Sequence, residues 1–498
     1  MRSFLSILLS ASLFPIIKCV SIRAGGDLDV QIANGVVHGT SDKVTPSVRQ
    51  FLSIPYAQPP LGNLRFAPPL KAKPFGSLDA KAFGPACLQT TNSSYPVDEF
   101  NIKGRFAEDC LSLSIWTPFG KSKPDKLPVF IFVHGGGFNS GGQNTPYQIP
   151  AQWVERTKGH VVVTINYRLT LLGFAVSSAL DEINVGLLDQ RLAIEWVRDN
   201  IAEFGGDPSH IVLWGQSAGA ISVAYYPYSY PDDPIVSALI TDSGTEGSLP
   251  IKPKPKAGEE DKDFKTAAKY FGCADSLTPT ARLECVRNVP EDKVSKWLDV
   301  TLADSSQLTY PRPTVDDKII FADYADLTKK GRVAKIPAII GTNSGERLPL
   351  LSSLFLCPSW RTANNRLAAK IPTFRYEYHG DFKNISPFGA QHLMELPLLF
   401  GTHPLFRGNS TELEWRTSYA MQDAWLAFAK DGVNGLRGQG WRLYDRSLGG
   451  NVRFFGNGVP AKDGDTTVNE LLCGPAAAQN DVGDAQLARD LLAEGLEG

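Results

Sequence analysis

The sequence has little net charge of either sign. Its 50 Lys and Arg are balanced by 52 Asp and Glu, a formal −2 at pH 7, so it lacks the basic field by which a protein gathers nucleic acid. After residue 21 it has no apolar run long enough to cross a bilayer, which takes about 20 residues, and this excludes an internal transmembrane helix. It has no internal repeats and no low-complexity tract, which excludes a repeat array. Histidine is scarce, with seven in the chain, so chemistry that needs an imidazole has few places to use one. With 43% hydrophobic and 20% charged residues the composition is globular. A length of 498 residues allows one large α/β domain with insertions, or two to three average domains.

What is present centres on Gly215-Gln-Ser-Ala-Gly219. The β-prone run Ile211-Val-Leu-Trp214 stops abruptly there and small residues follow. This is the G-x-S-x-G pattern of a nucleophile elbow, a serine on a strained strand-to-helix turn. A serine at positive φ needs neighbours without Cβ atoms two positions either side. In a chain with 45 glycines the pattern alone arises readily by chance, so its context decides. Val129-Phe-Ile-Phe-Val133 and His160 to Tyr167 read as strands buried on both faces. Asp189 to Phe204 has helical spacing, with Leu192, Ile194, Trp196, Val197 and Ile201 as core positions, and Gly205-Gly-Asp-Pro208 stops it. Residues 29–40 read as a hairpin turning at Asn34-Gly35, and Phe51 to Phe66 as extended chain. Alternating strands and helices predict a mostly parallel sheet covered on both faces, with its chemistry at the carboxyl ends of the strands. Ser217 lies at such an end.

A serine nucleophile needs an oxyanion hole, a base and a group that orients the base. His134-Gly-Gly-Gly-Phe138 follows the strand that ends at Val133, and successive glycines let backbone N–H groups converge on one point. No Gly-Lys-Ser/Thr follows, so a phosphate-binding P-loop is excluded. Such a loop together with G-x-S-x-G is the pairing of lipases and esterases, and the expected donors are the N–H groups of Gly136, Gly137 and Ala218. If the chain order is serine, acid, histidine, the base is His379, His392 or His403. His392, in the irregular stretch Phe388 to Pro397, is favoured. His379 ends a strand-like run and faces solvent or a neighbour; His403 precedes Pro404 in a loop. For the acid, Glu346 follows the strand-like Ile336 to Ile340 and is favoured over Asp242, which follows Leu239-Ile240.

Met1 to Ser21 joins a basic start to a short apolar core broken by Pro15, the form of a secretory signal over residues 1–21. Removing Cys19 with it leaves six of seven cysteines, an even number suited to an oxidising compartment. Cys87 with Cys110 and Cys273 with Cys285 would each close a local loop, leaving Cys357 with Cys473. Asn92, Asn384 and Asn409 open N-glycosylation triplets.

Taken together, these residues resemble the type-B carboxylesterase family of cholinesterases, large secreted fungal lipases and neuroligins. The likeness is carried by Phe51 to Phe66, Glu108-Asp-Cys-Leu-Ser-Leu-Ser-Ile115, His134 to Phe138, Asn184 to Ile201, Phe204-Gly-Gly-Asp-Pro208 and Gly215 to Gly219. It spans nearly the whole of residues 22–498, and its style is that of a fungal secreted esterase. The resemblance implies an α/β-hydrolase fold, with one domain over 22–498. It implies Ser217 as nucleophile, Glu346 as acid, His392 as base, Ser243 as a supporting donor, oxyanion donors at Gly136, Gly137 and Ala218, and disulfides Cys87–Cys110 and Cys273–Cys285. In one place the chain departs from the family. Relatives carry glycine after the acid and a helical stretch several tens of residues longer, whereas Glu346-Arg-Leu-Pro-Leu350 reaches Phe355-Leu-Cys-Pro358 at once. A helical segment near 347–356 is therefore expected to be missing.

The implied activity is a secreted serine hydrolase of small-molecule or lipid carboxylic esters, working through an acyl-enzyme without metal or cofactor. The alternative is an inactive binding protein on the same fold, as neuroligins imply. The complete triad argues against that alternative, and the shortened stretch argues for it. The loop closed by Cys87 and Cys110 contains no tryptophan, so the cation–π contact to a quaternary ammonium that cholinesterase-like proteins make there is not expected.

Overall fold

Ten strands build the central sheet: β1 Val48–Pro55, β2 Ser112–Pro118, β3 Leu127–Val133, β4 Val161–Ile165, β5 Gly206–Gln216, β6 Ala238–Asp242, β7 Ala338–Asn343, β8 Thr373–Tyr378, β9 Val452–Phe455 and β10 Ala461–Gly464. They belong to a computed structural model that describes residues 27–90, 98–249, 252–254, 256, 262–273, 276–303, 312–347, 351–446, 450–466 and 473. Their order across the sheet is β1-β2-β4-β3-β5-β6-β7-β8-β9-β10. From β4 to β9 every pairing is parallel, and antiparallel pairs close both edges. The hairpin expected at residues 29–40 forms from Asp29–Ile32 and Gly35–His38. It joins Gly76–Asp79 in a separate three-stranded sheet.

The central strands are apolar throughout because both faces of the sheet are covered. Successive side chains point to opposite faces. Val129, Ile131 and Val133 of β3 share one core with Ala193 and Val197 of helix α1, Val185–Asn200, and Ile221 of helix α2, Ala218–Ser229. Phe130 and Phe132 enter the other core, with Trp153, Phe400 and Trp425. All five core positions expected in α1 and the turn that follows it are buried. The glycine stop at 205–208 holds, but the strand starts within it, since Gly206 already pairs with Leu127.

After β7 the chain makes a short 3-10 turn, Ser344–Arg347. Beyond residues 348–350, a wide turn at Ser352–Leu356 runs straight into helix α3, Cys357–Ala368. Disulfides join Cys87 to Cys110, Cys273 to Cys285 and Cys357 to Cys473, with Cα separations of 5.0, 5.9 and 5.2 Å. The third pair was reached in the sequence only by elimination, and it fixes the start of α3. Asn409 is exposed. The Asn384 amide donates to Glu414 Oε1 at 3.0 Å. The expected signal and the Asn92 triplet lie outside the described residues.

Candidate active site

Parallel pairing brings five loop starts to one edge of the sheet. β3 runs into His134, β5 into Ser217, β6 into Ser243, β7 into the turn containing Glu346, and β8 into the irregular stretch that carries His392. Ser217 has φ 56° and ψ −123°, a strained conformation that costs about 1–3 kcal/mol. Its N–H donates to Asp242 O at 2.9 Å, and its carbonyl accepts from Ile221 N at 2.9 Å, so strand and helix over-determine the turn. Gly219 shows why the motif requires glycine: a Cβ there would lie 2.0 Å from Val133 O. Ser217 is half-buried while its neighbours in the motif are buried.

The glycine loop faces the elbow. Gly136 has φ 101°, and a Cβ on it would meet Ser140 O at 2.2 Å. Its carbonyl is used by Asn139 N and Ser140 N at 2.9 and 3.0 Å. Among the described residues no acceptor takes the N–H of Gly136 or Gly137, and Ala218, as first residue of α2, has an N–H that its own helix cannot satisfy. His134 is structural. Its ring stacks on Tyr167 at 4.6 Å, and burial lowers its pKa to about 4, leaving it neutral. Gly136, Gly137, Ser217 and His392 line a cavity of about 620 Å³ whose walls include Phe100, Tyr147 and Leu393.

Glu346, fully buried, lies 2.5 Å from His392 Nδ1 through Oε1. Its Oε2 accepts from Ser243 Oγ at 3.0 Å and from Asn343 N at 2.9 Å. The structure thus brings together Ser217, Glu346, His392 and Ser243 as the sequence reading grouped them. The other histidines are engaged elsewhere. His379 lies against Phe454 at 4.4 Å, and His403 is fully buried beside Ser410 and Glu414 at 2.7 and 3.2 Å.

Three neighbours were not foreseen. The Gln216 side-chain amide donates to His392 Nε2 at 3.1 Å; among the described residues Ser217 Oγ makes no hydrogen bond of its own. Gln216 is the variable position of the motif, so its identity was legible but its direction was not. Asn343 joins Glu346 to Glu395, giving its N–H to one and its side-chain amide to the other, the latter at 2.5 Å. Phe355 stacks on the His392 ring, with centroids 4.3 Å apart and planes at 18°.

Asp242, the rival acid, serves the other face of the sheet. It accepts from Trp214 Nε1 at 2.5 Å and Tyr376 OH at 2.7 Å. Burial pushes its pKa up to about 7 against those hydrogen bonds, and the nearby Glu346 charge adds to the rise. The folded protein therefore holds a proton that an unfolded Asp, with a pKa of about 3.9, has already lost. This contribution to stability is complete below about pH 4 and is lost as pH rises through about 7. Asp242→Asn, which cannot ionise, is expected to flatten that pH dependence between pH 5 and pH 8. Urea unfolding at several pH values measures it; equal slopes in the two proteins would contradict the assignment.

The fold and this constellation define a carboxylic ester hydrolase with the α/β-hydrolase fold, and the chain belongs to the carboxylesterase family, whose profile matches residues 26–355 and 349–452. The chain is 44% identical over 438 residues to the chlorogenic acid esterase of Aspergillus niger, covering 82% of this chain and 84% of that one. It is 38% identical over 472 residues to secreted lipase 5 of Gibberella zeae, covering 83% and 87%. The acetylcholinesterase of Electrophorus electricus is 32% identical over 359 residues, 68% of this chain and 55% of that one. Among the described residues no helix is long and apolar enough to cross a membrane.

Proposed function

We propose that the protein is a secreted serine esterase that cleaves small-molecule or lipid carboxylic esters through an acyl-enzyme on Ser217. The observation that carries this reading is the bond from His392 Nδ1 to Glu346 at 2.5 Å. It sits at the sheet edge where the elbow and the glycine loop face one cavity. With Nδ1–H donated to Glu346, Nε2 keeps its lone pair. Once the Gln216 amide turns aside, that lone pair takes the Ser217 proton as Oγ attacks the ester carbonyl. The N–H groups of Gly136, Gly137 and Ala218 receive the oxyanion. His392 then protonates the leaving alcohol, and water repeats the attack to release the acid. Glu346 holds the tautomer and stabilises the imidazolium; Ser243 and Asn343 hold Glu346.

Secretion is supported by the three disulfides, which suit an oxidising compartment, by the signal-like residues 1–21, and by the relative named a secreted lipase. Asn409 offers a glycan the most open site of the described triplets. The domain runs over 22–498 and is shortened near 347–356. The two family matches support this, since they meet at 349–355.

The Gln216 contact also fits a second reading, an inactive binding relative in which Nε2 stays occupied. A fluorophosphonate separates the two. The esterase reading expects one phosphonyl group per folded chain, mapped to Ser217, and a stoichiometric burst of p-nitrophenol from p-nitrophenyl acetate. A folded chain that takes no label and turns over no p-nitrophenyl ester from acetyl to palmitoyl would be the binding protein.

A further inference from the structure

His392 sits in an irregular stretch. Its backbone neighbourhood is tied by Gly345 N to Ala390 O at 2.9 Å and Asn343 Nδ2 to Gln391 O at 2.7 Å. The ring itself is held at two atoms, both in its own plane: Nδ1 by Glu346 and Nε2 by Gln216. Bonds in the plane leave the ring free to tilt about the line that joins them. One aromatic face opposes that tilt, the Phe355 ring at 4.3 Å and 18°.

Phe355 is delivered rigidly. It is 7% exposed and lies two residues before Cys357, which is bonded to Cys473. Leu356, Cys357 and Cys473 form a small buried cluster with Trp360 against it. Further along α3, Thr362 Oγ1 donates to Glu246 at 2.8 Å, and Arg366 donates to Thr373 Oγ1 at 2.9 Å and to the Ile336 carbonyl at 2.5 Å. The stretch that departs from the family pattern therefore ends in an anchored helix whose entry turn presses an aromatic face on the imidazole.

The geometry points to Phe355 as a positioning residue for His392. It supplies a flat surface along which the imidazole turns in its own plane, from Gln216 to Ser217 and then to the departing alcohol. The inference rests on the assignment of His392 as the base. A stacked face permits sliding in the plane and resists tilting out of it, and proton transfer needs Nε2 aimed within hydrogen-bonding reach at both ends of that path. Phe355 is not among the residues that line the cavity with Ser217 and the glycine loop, and its contact with the site is the imidazole ring, so its effect passes through the histidine.

The test compares Phe355→Leu, Phe355→Ala and Phe355→Tyr with wild type, on p-nitrophenyl acetate and butyrate and on the matched ethyl esters. Leu and Ala are expected to lower kcat about tenfold, with KM within about twofold, for both acyl groups. Tyr, which keeps the flat face, is expected to stay within about threefold of wild type. The loss in kcat/KM, which reports the acylation step, should be larger for ethyl esters than for p-nitrophenyl esters. Ethoxide must receive a proton from His392 to leave, whereas p-nitrophenolate leaves without one. Breaking the Cys357–Cys473 bond by Cys473→Ser should lower kcat in wild type and add little on top of Phe355→Leu, because both act on the same ring.

Several results would overturn the inference: an unchanged kcat, a KM that rises with acyl length at constant kcat, a Tyr variant as impaired as Leu, or equal losses for both leaving groups. Melting temperatures establish that the variants fold; should Ala fail to fold, the Leu and Tyr pair decides. Wild-type turnover and labelling of Ser217 test the esterase reading separately, so absence of wild-type activity would count against that reading alone.

Discussion

Ser217→Ala is expected to lower kcat on p-nitrophenyl esters by about 10⁵- to 10⁶-fold, with binding of substrate and the melting temperature almost unchanged. The size follows from the position. In the proposed mechanism the hydroxyl oxygen forms the acyl bond, and no neighbouring side chain can take its place: Gln216 and Ala218 flank it, and Ser243 Oγ is committed to Glu346 at 3.0 Å. The residual rate should come from the oxyanion donors, which are backbone and survive the substitution. The stability change should be small because Ser217 Oγ makes no hydrogen bond among the described residues, while the strained φ of 56° is held by its backbone bonds to Asp242 and Ile221. Steady-state hydrolysis, a burst assay and thermal melting measure all three. Turnover within about a hundredfold of wild type would remove Ser217 from the mechanism.

Glu346→Gln is expected to cost about 10⁴-fold in kcat while leaving the fold intact. Glu346 accepts three hydrogen bonds, from His392 Nδ1, Ser243 Oγ and Asn343 N. A glutamine has one oxygen. If that oxygen keeps the obligatory backbone N–H of Asn343, the NH₂ group faces Nδ1 and the imidazole must accept there. Its proton then moves to Nε2, and the lone pair that should receive the Ser217 proton is gone. Glu346→Asp keeps the charge but shortens the reach, and is expected to cost less. A Gln variant within about tenfold of wild type would show that another group orients His392. Asp242, the rival acid, is not free to do so, since Trp214 and Tyr376 already occupy its two oxygens.

Gln216 gives the resting site a particular logic. In the arrangement seen, His392 meets Glu346 at Nδ1 while its Nε2 is engaged by an amide. The proposed proton transfer requires that contact to exchange for Ser217 Oγ, and the two residues are adjacent on one turn. The exchange therefore requires a side-chain rotation and no movement of the sheet.

How much of this could be read along the chain depends on how far apart the participating atoms are in sequence. The elbow, the glycine loop and the buried parallel strands were legible because each is a local demand. Positive φ, close backbone approach and burial on both faces restrict the residue types at neighbouring positions, so the sequence by itself determined them. The two short disulfide loops follow the same rule, whereas Cys357 and Cys473 are 116 residues apart and were paired only because nothing else remained. The choice of histidine was of the second kind. His392 is 176 residues from Gln216 and 46 from Glu346, and His379 and His403 satisfy the same chain order. Tertiary structure sets them apart by what each touches: His392 meets Glu346, His403 pairs with Glu414 inside the core, and His379 lies against Phe454. It separated the acids in a similar way. Asp242 is the last residue of its strand and is consumed by Trp214 and Tyr376, while Glu346 lies three residues past the end of β7, where the 3-10 turn carries it back to the imidazole. Phe355 against His392 was beyond any local signal. That contact depends on where the chain goes after a shortened connection and on a distant cysteine that pins it. Such placement is set by packing and cross-links across the whole fold.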